Sequence, residues 1–438
     1  MTAAAACCFA VTTSSAWDRG DLKDYRARRA NLISTTGDGV VVLFGYNEAD
    51  VAASVTRFRQ NEQFYYLTGW NEPGAILMLV PKPGGPDQPA QLGQEILYLP
   101  SRNLQLEKWN GPKLGPESSN AAAETGFAAV HSIGLFQSEL LEALKTYPKI
   151  YTELTPQPES GEESFQVDEV AKLKAIAPVA AFADLRPAVQ AMRAIKSAAE
   201  VALIRKAVEN SVDAHLAAMK AVKPGAFEYE IAGLLKFEWE RRGSEWAAYP
   251  PIVGSGFFST VLHYVVNERQ MQDGDLVVID AAGSYGGYAS DITRTLPAGR
   301  KFTARQREIY EIVRGAQAAA IAAARPGIML GRGPNGLHQI ALDYINAHGK
   351  DLHGQPLGKY FIHGLGHSVG LNVHDPMDAT RLLQPGMVVT IEPGIYIPEE
   401  KLGVRLEDMV LITKDGCELL SKRLTSDPAL VEAIMAGK

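Results

Sequence analysis

Gly274-Asp275-Leu276-Val277-Val278-Ile279-Asp280 returns later in the chain as Gly386-Met387-Val388-Val389-Thr390-Ile391-Glu392. Each stretch opens on glycine, runs apolar for the length of a strand and ends on an acid six positions after the glycine. Upstream of each lies a long helical pattern, stopped at Lys223-Pro224-Gly225 in one case and at Arg325-Pro326-Gly327 in the other. A further helical stretch then leads into the strand. Helix, Pro-Gly, helix, strand, carboxylate thus occurs twice, which predicts a duplicated α+β unit with an internal pseudo-two-fold repeat.

The return strands sharpen that reading. After Asp280 comes Ser284-Tyr285-Gly286-Gly287, then Asp291-Ile292-Thr293-Arg294-Thr295. A turn centred between Tyr285 and Gly286 sets Asp280 directly opposite Asp291. A turn centred between Glu399 and Glu400 sets Glu392 opposite Glu407 in the same way. Directly opposed residues share a sheet face with Cβ atoms about 4.5–5.5 Å apart, and like charges so placed repel. On a solvated face that repulsion would be screened, but the apolar runs ending in Ile279 and Ile391 argue for burial. Four buried carboxylates near the pseudo-symmetry axis need raised pKa values, basic partners or bound cations.

The histidines favour cations. Three of the nine fall close together, His363, His367 and His374, and His263 precedes the first acidic strand. His363 and His367 are spaced as H-x-x-x-H, but Gly364 stands where a helical zinc motif carries glutamate. His131, His215, His338, His348 and His353 read as hydrogen-bonded core or surface residues. Four carboxylates with one or two imidazoles form a hard, oxygen-rich set suited to Mn²⁺ or Mg²⁺ and tolerant of Co²⁺, Zn²⁺ or Fe²⁺. So many bridging oxygens favour two ions, about 3.5–4 Å apart, over one.

The first half reads differently. Residues 40–44, 75–80 and 96–99 are strand-length apolar runs, residues 138–145 are helical, and residues 155–163 form a polar, Pro-bearing loop. This is an α/β domain over 21–185, followed by the duplicated α+β domain over 186–438. Residues 1–20 are a tail or a signal remnant. Met1 to Val11 is small and apolar, yet no Lys or Arg precedes it, so a complete secretion signal is not expected. A cytoplasmic protein is the expectation, with export the alternative if residues 1–17 are a trimmed signal.

Composition sets the outer limits. At about 150 residues per domain, 438 residues allow two or three domains. With 46% hydrophobic and 21% charged residues the chain is globular and not disordered. Its net charge of −7, with no basic run, argues against nucleic acid as a partner. No run of about 18 apolar residues offers a membrane span. Cys7, Cys8 and Cys417 cannot build a disulfide framework.

In its second half the chain resembles the metal-dependent pita-bread (creatinase/aminopeptidase-like) peptidases, among them methionine aminopeptidase, prolidase and aminopeptidase P. The motifs are VVID, SDITRT, HGLGHSVGL, TIEPG and VRLED, within residues 190–425. The resemblance places the family's metal ligands on Asp280, Asp291, His367, Glu392 and Glu407. It places catalytic histidines at His263, His363 and His374 and a supporting Arg405, which two-residue spacing puts on the strand face of Glu407. Residues 58–80 (FRQNEQFYYLTGWNEPGAILMLV) resemble the N-terminal domain of bacterial aminopeptidase P, and residues 263–297 its catalytic domain. Methionine aminopeptidases lack a domain of the first kind.

The resemblance therefore implies an Xaa-Pro aminopeptidase, a hydrolase in which two Mn²⁺ ions activate a bridging hydroxide. It would release the residue before proline from peptide substrates. Asp291 and Glu407 would bridge the ions, Glu392 would take the water proton, His363 would relay it, and His374 would steady the oxyanion. His263 would stand beside the proline. A homo-oligomer, dimer or tetramer, is also implied. Prolidase is the alternative. A third reading, a pita-bread binding module without metal, predicts missing ligands, whereas all five are present.

Overall fold

The computed structural model describes residues 20–47, 58–85, 88–154, 165–378 and 380–437. The expected tail and the expected loop over 155–163 lie outside the described residues. The N-terminal unit is a six-stranded mixed sheet built from β1 (Val40–Phe44), β2 (Ile76–Lys82), β3 (Gln91–Leu99), β4 (Ala129–Ser132), β5 (Lys149–Thr152) and β6 (Ala181–Asp184). Its strand order is β4-β3-β2-β1-β5-β6, antiparallel around β2 and parallel elsewhere. The reading of residues 96–99 as a strand caught only the end of β3, because its first half, Gln91 to Glu95, is mostly polar and exposed.

The central strands of this sheet are apolar over residues 40–44 and 76–81 because both faces are covered there. Val40, Val42, Met78 and Tyr98 pack against Phe136 and Leu140 on helix Phe136–Leu144. Val41, Leu43, Leu77 and Leu97 turn the other way, onto Leu32, Phe64 and Val189. That second core runs without a break into Val208, Trp239, Ile279 and Ile391 of the C-terminal unit. The two units are therefore welded through apolar side chains.

The repeat is present element by element. Helix Ala198–Ala221 starts from a capping box of Ser197 with Glu200, and helix Ala304–Ala323 from one of Thr303 with Gln306. Shorter helices Glu228–Glu240 and Leu337–His348 follow. The strands are β7 (Ile252–Ser255), β8 (Leu276–Asp280), β9 (Ser284–Tyr285), β10 (Tyr288–Ala289) and β11 (Thr293–Pro297). After them come β12 (Val388–Ile391), β13 (Gly394–Ile397), β14 (Leu402–Arg405), β15 (Asp408–Ile412) and β16 (Cys417–Leu419). Gly274 and Gly386, which open the two acidic strands, have φ of 84° and 89°, a left-handed turn that admits glycine without steric cost. A bridge between Thr293 and Glu407 joins the halves at the centre.

One register departs from expectation. Gly286 and Gly287 both have positive φ, 59° and 82°, so they form the two central residues of the hairpin turn. The turn is centred one residue later than expected, and Asp280 faces Thr293 instead of Asp291. Asp291 stands two residues before Thr293, offset along the strand yet still within reach of Asp280. The second register holds: Ile391 pairs with Asp408 and Gly394 with Arg405, leaving Glu392 and Glu407 opposite each other between them.

Candidate active site and metal centre

Asp280 ends β8, Asp291 leads into β11, and Glu407 leads into β15. Glu392 follows β12, and His367 lies on the irregular segment that pairs through Ser368 with Val389 of that strand. Alternation along the strands also brings Thr293 and Thr390 to the same floor. Thr293 Oγ1 donates to Glu407 Oε2 at 2.6 Å, and Thr390 Oγ1 donates to Glu392 Oε1 at 3.0 Å. His367 Nε2 stands 3.4 Å from Asp291 Oδ2 and 3.3 Å from Glu392 Oε1. Its Nδ1 reaches the carbonyl of Ser368 at 3.2 Å, which leaves Nε2 facing the acids. Single ligand atoms of Asp291, His367 and Glu407 lie within 4.8 Å of one another, a cluster able to hold a metal ion.

The electrostatics explain what the cluster is for. Burial, then the charges of Asp280 and Glu392, holds the Asp291 carboxyl well above the ordinary range. Burial followed by Asp291 and Asp280 does the same to Glu407. Glu392 is pushed up to about 8, by burial and then by Glu407. Carboxylates this crowded do not all ionise in neutral water by themselves; divalent charge among them restores ionisation. The donor set, carboxylate oxygens with one imidazole nitrogen, fits hard or borderline divalent cations.

Arg405 is placed differently from its expected role. Its Nη2 donates to Asp280 Oδ2 at 2.7 Å, and it reaches Glu407 only through the Thr293 hydroxyl, at 3.3 Å from Nε. Arg405 and Glu407 share a strand face, but Asp280 at the end of the neighbouring strand is the nearer partner. Arg405 Nη1 also donates to the Tyr396 hydroxyl at 2.9 Å, and that hydroxyl stands 2.8 Å from His363 Nε2. His363 Nδ1 is 2.7 Å from the carbonyl of Gly364 and donates to it, so Nε2 accepts from Tyr396. Burial and then the Arg405 charge push His363 down to about 4, which keeps the ring neutral.

His374 lies edge-on to His367 with ring centroids 4.1 Å apart, and it is exposed at the mouth. Its pKa is lowered by burial of the ring face and then by His367 and His263. His263 is also exposed, on the turn after a short 3₁₀ segment, Gly256–Thr260. Of the other histidines, His338 stacks on Phe361, which lies edge-on to His363, whereas two more stand apart. His215 is buried against the carbonyl of Ala281, and His131 pairs with Glu139.

Sequence reasoning passed over Tyr249. Its hydroxyl is 2.6 Å from Asp280 Oδ1 and 2.5 Å from Asp291 Oδ1, so it ties together the two acids that the shifted register separates. A lone tyrosine before Pro250-Pro251 carries no spacing signal. Thr293, Thr390 and Tyr396 could have been found, since each stands two or four residues from a ligand along a strand or strand end.

Comparison with known proteins agrees with this geometry. Residues 25–152 match the aminopeptidase P N-terminal domain, and residues 202–414 match metallopeptidase family M24. The Xaa-Pro aminopeptidase of Escherichia coli is 34% identical over 446 residues, covering 95% of this chain and 98% of its own. The solved structure of a putative aminopeptidase P from Bacillus anthracis has a TM-score of 0.85 at 30% identity, covering 95% of this chain and 98% of its own. An Xaa-Pro dipeptidase of Pyrococcus horikoshii is 40% identical over 269 residues, 60% of this chain and 72% of its own.

An α/β domain joined to a duplicated α+β unit with an acid-lined metal cluster defines a pita-bread metallopeptidase. Within that class, the full-length match and the N-terminal domain place the chain in the aminopeptidase P family.

Proposed function

We propose that the protein is a dinuclear Mn²⁺-dependent Xaa-Pro aminopeptidase that releases the N-terminal residue from peptides with proline in second place. The observation that carries this reading is the convergence of Asp280, Asp291, His367, Glu392 and Glu407 on one buried floor, with His363 and His374 beside it. The five ligand positions would hold two divalent cations, whose chemistry there would be to lower the pKa of a water and polarise the scissile carbonyl.

The rest falls to the chain's own groups. Glu392 accepts the proton of the attacking water and passes it toward the departing proline nitrogen by way of His363. Tyr396 and the Gly364 carbonyl orient the His363 ring, and its part in the relay requires the Tyr396 bond to open and free Nε2. Imidazole N–H of His374 donates to the oxygen on which negative charge develops. Arg405 and Tyr249 hold Asp280 in place. The acidic floor attracts the substrate's α-ammonium, which confines attack to the first peptide bond. Proline lacks an N–H and has φ fixed near −65°, so its ring requires a shaped pocket without a waiting acceptor; His263 would stand at that side.

A domain division at about residue 186 draws support from the end of the last strand of the N-terminal sheet at Asp184. Leu104, Leu106 and Trp109, all highly exposed on one surface segment, support self-association.

The test is a matched pair of substrates for the metal-loaded protein, an Xaa-Pro dipeptide and the same dipeptide extended by one or two residues. Cleavage of the extended peptides with the dipeptide left nearly intact is expected. The second reading, prolidase, draws on the 40% identity to the Pyrococcus dipeptidase over the catalytic region. Efficient hydrolysis of the dipeptide with the longer peptides uncut would install it.

A further inference from the structure

Residues 368–375 form a strap that leaves His367 and itself carries His374 near its far end. The strap is tied from below by a buried ionic cluster. Asp375 receives Arg193 Nη2 at 2.5 Å and Lys196 Nζ at 3.3 Å, and all three side chains are nearly inaccessible. Lys196 also donates to Ser368 Oγ at 3.1 Å. Asp375 N donates to the carbonyl of Ser368 at 2.9 Å, and Asn372 N donates to Asp375 Oδ1 at 3.3 Å. A side chain at Gly370 would collide with the Asp375 carboxylate at 2.5 Å, so the strap is drawn tight over its anchor.

The apex of the strap is tied from above, and by the other domain. Arg59, just before helix Glu62–Thr68, sends Nη2 to the carbonyl of Leu371 at 2.8 Å and to Asn372 Oδ1 at 2.9 Å. Its guanidinium also lies 5.6 Å from the ring centroid of Trp246, three residues before Tyr249. Arg59 therefore spans the two sides of the site, the strap on one and the Trp246–Tyr249 segment on the other. A residue more than three hundred positions away in sequence has no reason to meet the strap unless the N-terminal domain packs here.

We propose that Arg59 is a positioning residue of the active site: by pinning the strap apex it sets His374 over His367, so the N-terminal domain completes the catalytic machinery of its own chain. This rests on the peptidase reading above and adds to it a dependence of turnover on domain docking. Arg59 touches neither substrate nor metal. It acts through Asn372, whose neighbours on either side run to Gly370 and His374.

Three variants separate this from simple docking. Arg59→Met keeps length and removes every donor, Arg59→Lys keeps the charge, and Tyr65→Phe removes a different cross-domain hydrogen bond, Tyr65 to the Gly286 carbonyl. In the metal-loaded protein, kcat on an Xaa-Pro-Yaa peptide should fall roughly ten- to a hundredfold in Arg59→Met, with metal content and KM little changed. Arg59→Lys should recover part of the loss, and Tyr65→Phe should behave as wild type. Adding Asn372→Ala to Arg59→Met should cost little more, because both changes cut one contact.

The ring signals of His374, followed by NMR of histidine-labelled protein, should move in Arg59→Met and stay in Tyr65→Phe. That readout stands whichever peptide is cut. Wild-type kcat and unmoved His374 signals in Arg59→Met would overturn the inference while leaving the peptidase reading intact. Equal losses in Arg59→Met and Tyr65→Phe would also overturn it, as docking alone. A metal-loaded wild type that cuts no Xaa-Pro bond would overturn the peptidase reading, and unmoved His374 signals in that case would overturn the positioning role as well.

Discussion

At the scale of single residues, the site divides into groups that hold charge and groups that handle protons. His367 presents Nε2 to Asp291 and Glu392, whereas His363 is turned to Tyr396 and His374 packs beside His367 without reaching an acid. The three histidines should therefore fail differently. His367→Ala should lower metal occupancy, measured on purified protein by elemental analysis, with activity falling in proportion. His363→Ala and His374→Ala should keep their metal and lose at least tenfold in kcat and kcat/KM together, the mark of an interaction made in the transition state. Equal metal loss in all three would erase the division.

At the scale of elements, the return strands of the two repeats are locked on the side away from the site. Arg294, 1% exposed on β11, donates to Asp408 Oδ1 at 2.7 Å and to the carbonyls of Glu407, Leu424 and Thr425. Asp408, on β15, takes further bonds from Gln317 and Ser421. Removing one partner of such a pair strands the other charge in the interior, at a cost of about 3–5 kcal/mol. Arg294→Met should therefore lower the unfolding free energy by that order, read by denaturant titration. The joint double variant with Asp408→Asn should lose less than the sum of the singles. Helix starts and stops were legible in this part of the sequence because Ser197, Thr303 and the two Pro-Gly pairs act locally. The first hairpin was misplaced by one residue because a turn next to Gly286-Gly287 has several near-equivalent positions in sequence, and only the φ values select one.

At the scale of the whole molecule, one buried histidine makes stability depend on pH. His215 packs in the core of the C-terminal unit with Nε2 2.9 Å from the carbonyl of Ala281, and burial is the main force pushing it down to about 4. It is neutral in the folded protein at pH 7. The unfolded chain takes up a proton as pH falls below about 6.5, while the folded one does so only near 4. The unfolded state binds more protons in that window, so stability is full above it and is lost on acidification, by about 3 kcal/mol from this group. Melting temperature should drop between pH 7 and pH 5 in the wild type and drop less in His215→Gln. An equal slope in both proteins would exclude His215 as the source.

What the sequence determined by itself was whatever depends on neighbours in the chain. The apolar runs ending in Asp280 and Glu392 define strands, the caps and Pro-Gly pairs define helices, and their repetition defines a duplicated unit. Strand spacing draws the four acids Asp280, Asp291, Glu392 and Glu407 toward one place, and the resemblance to pita-bread peptidases implies His367 as a fifth ligand. Tertiary structure decided the partners. Arg405 turned to Asp280 on an adjacent strand, Tyr249 came from a loop to bridge Asp280 and Asp291, and Arg59 arrived from another domain. Hydrogen bonds reach about 3 Å whatever the separation along the chain, so side chains that meet only through packing leave no periodic trace in the sequence.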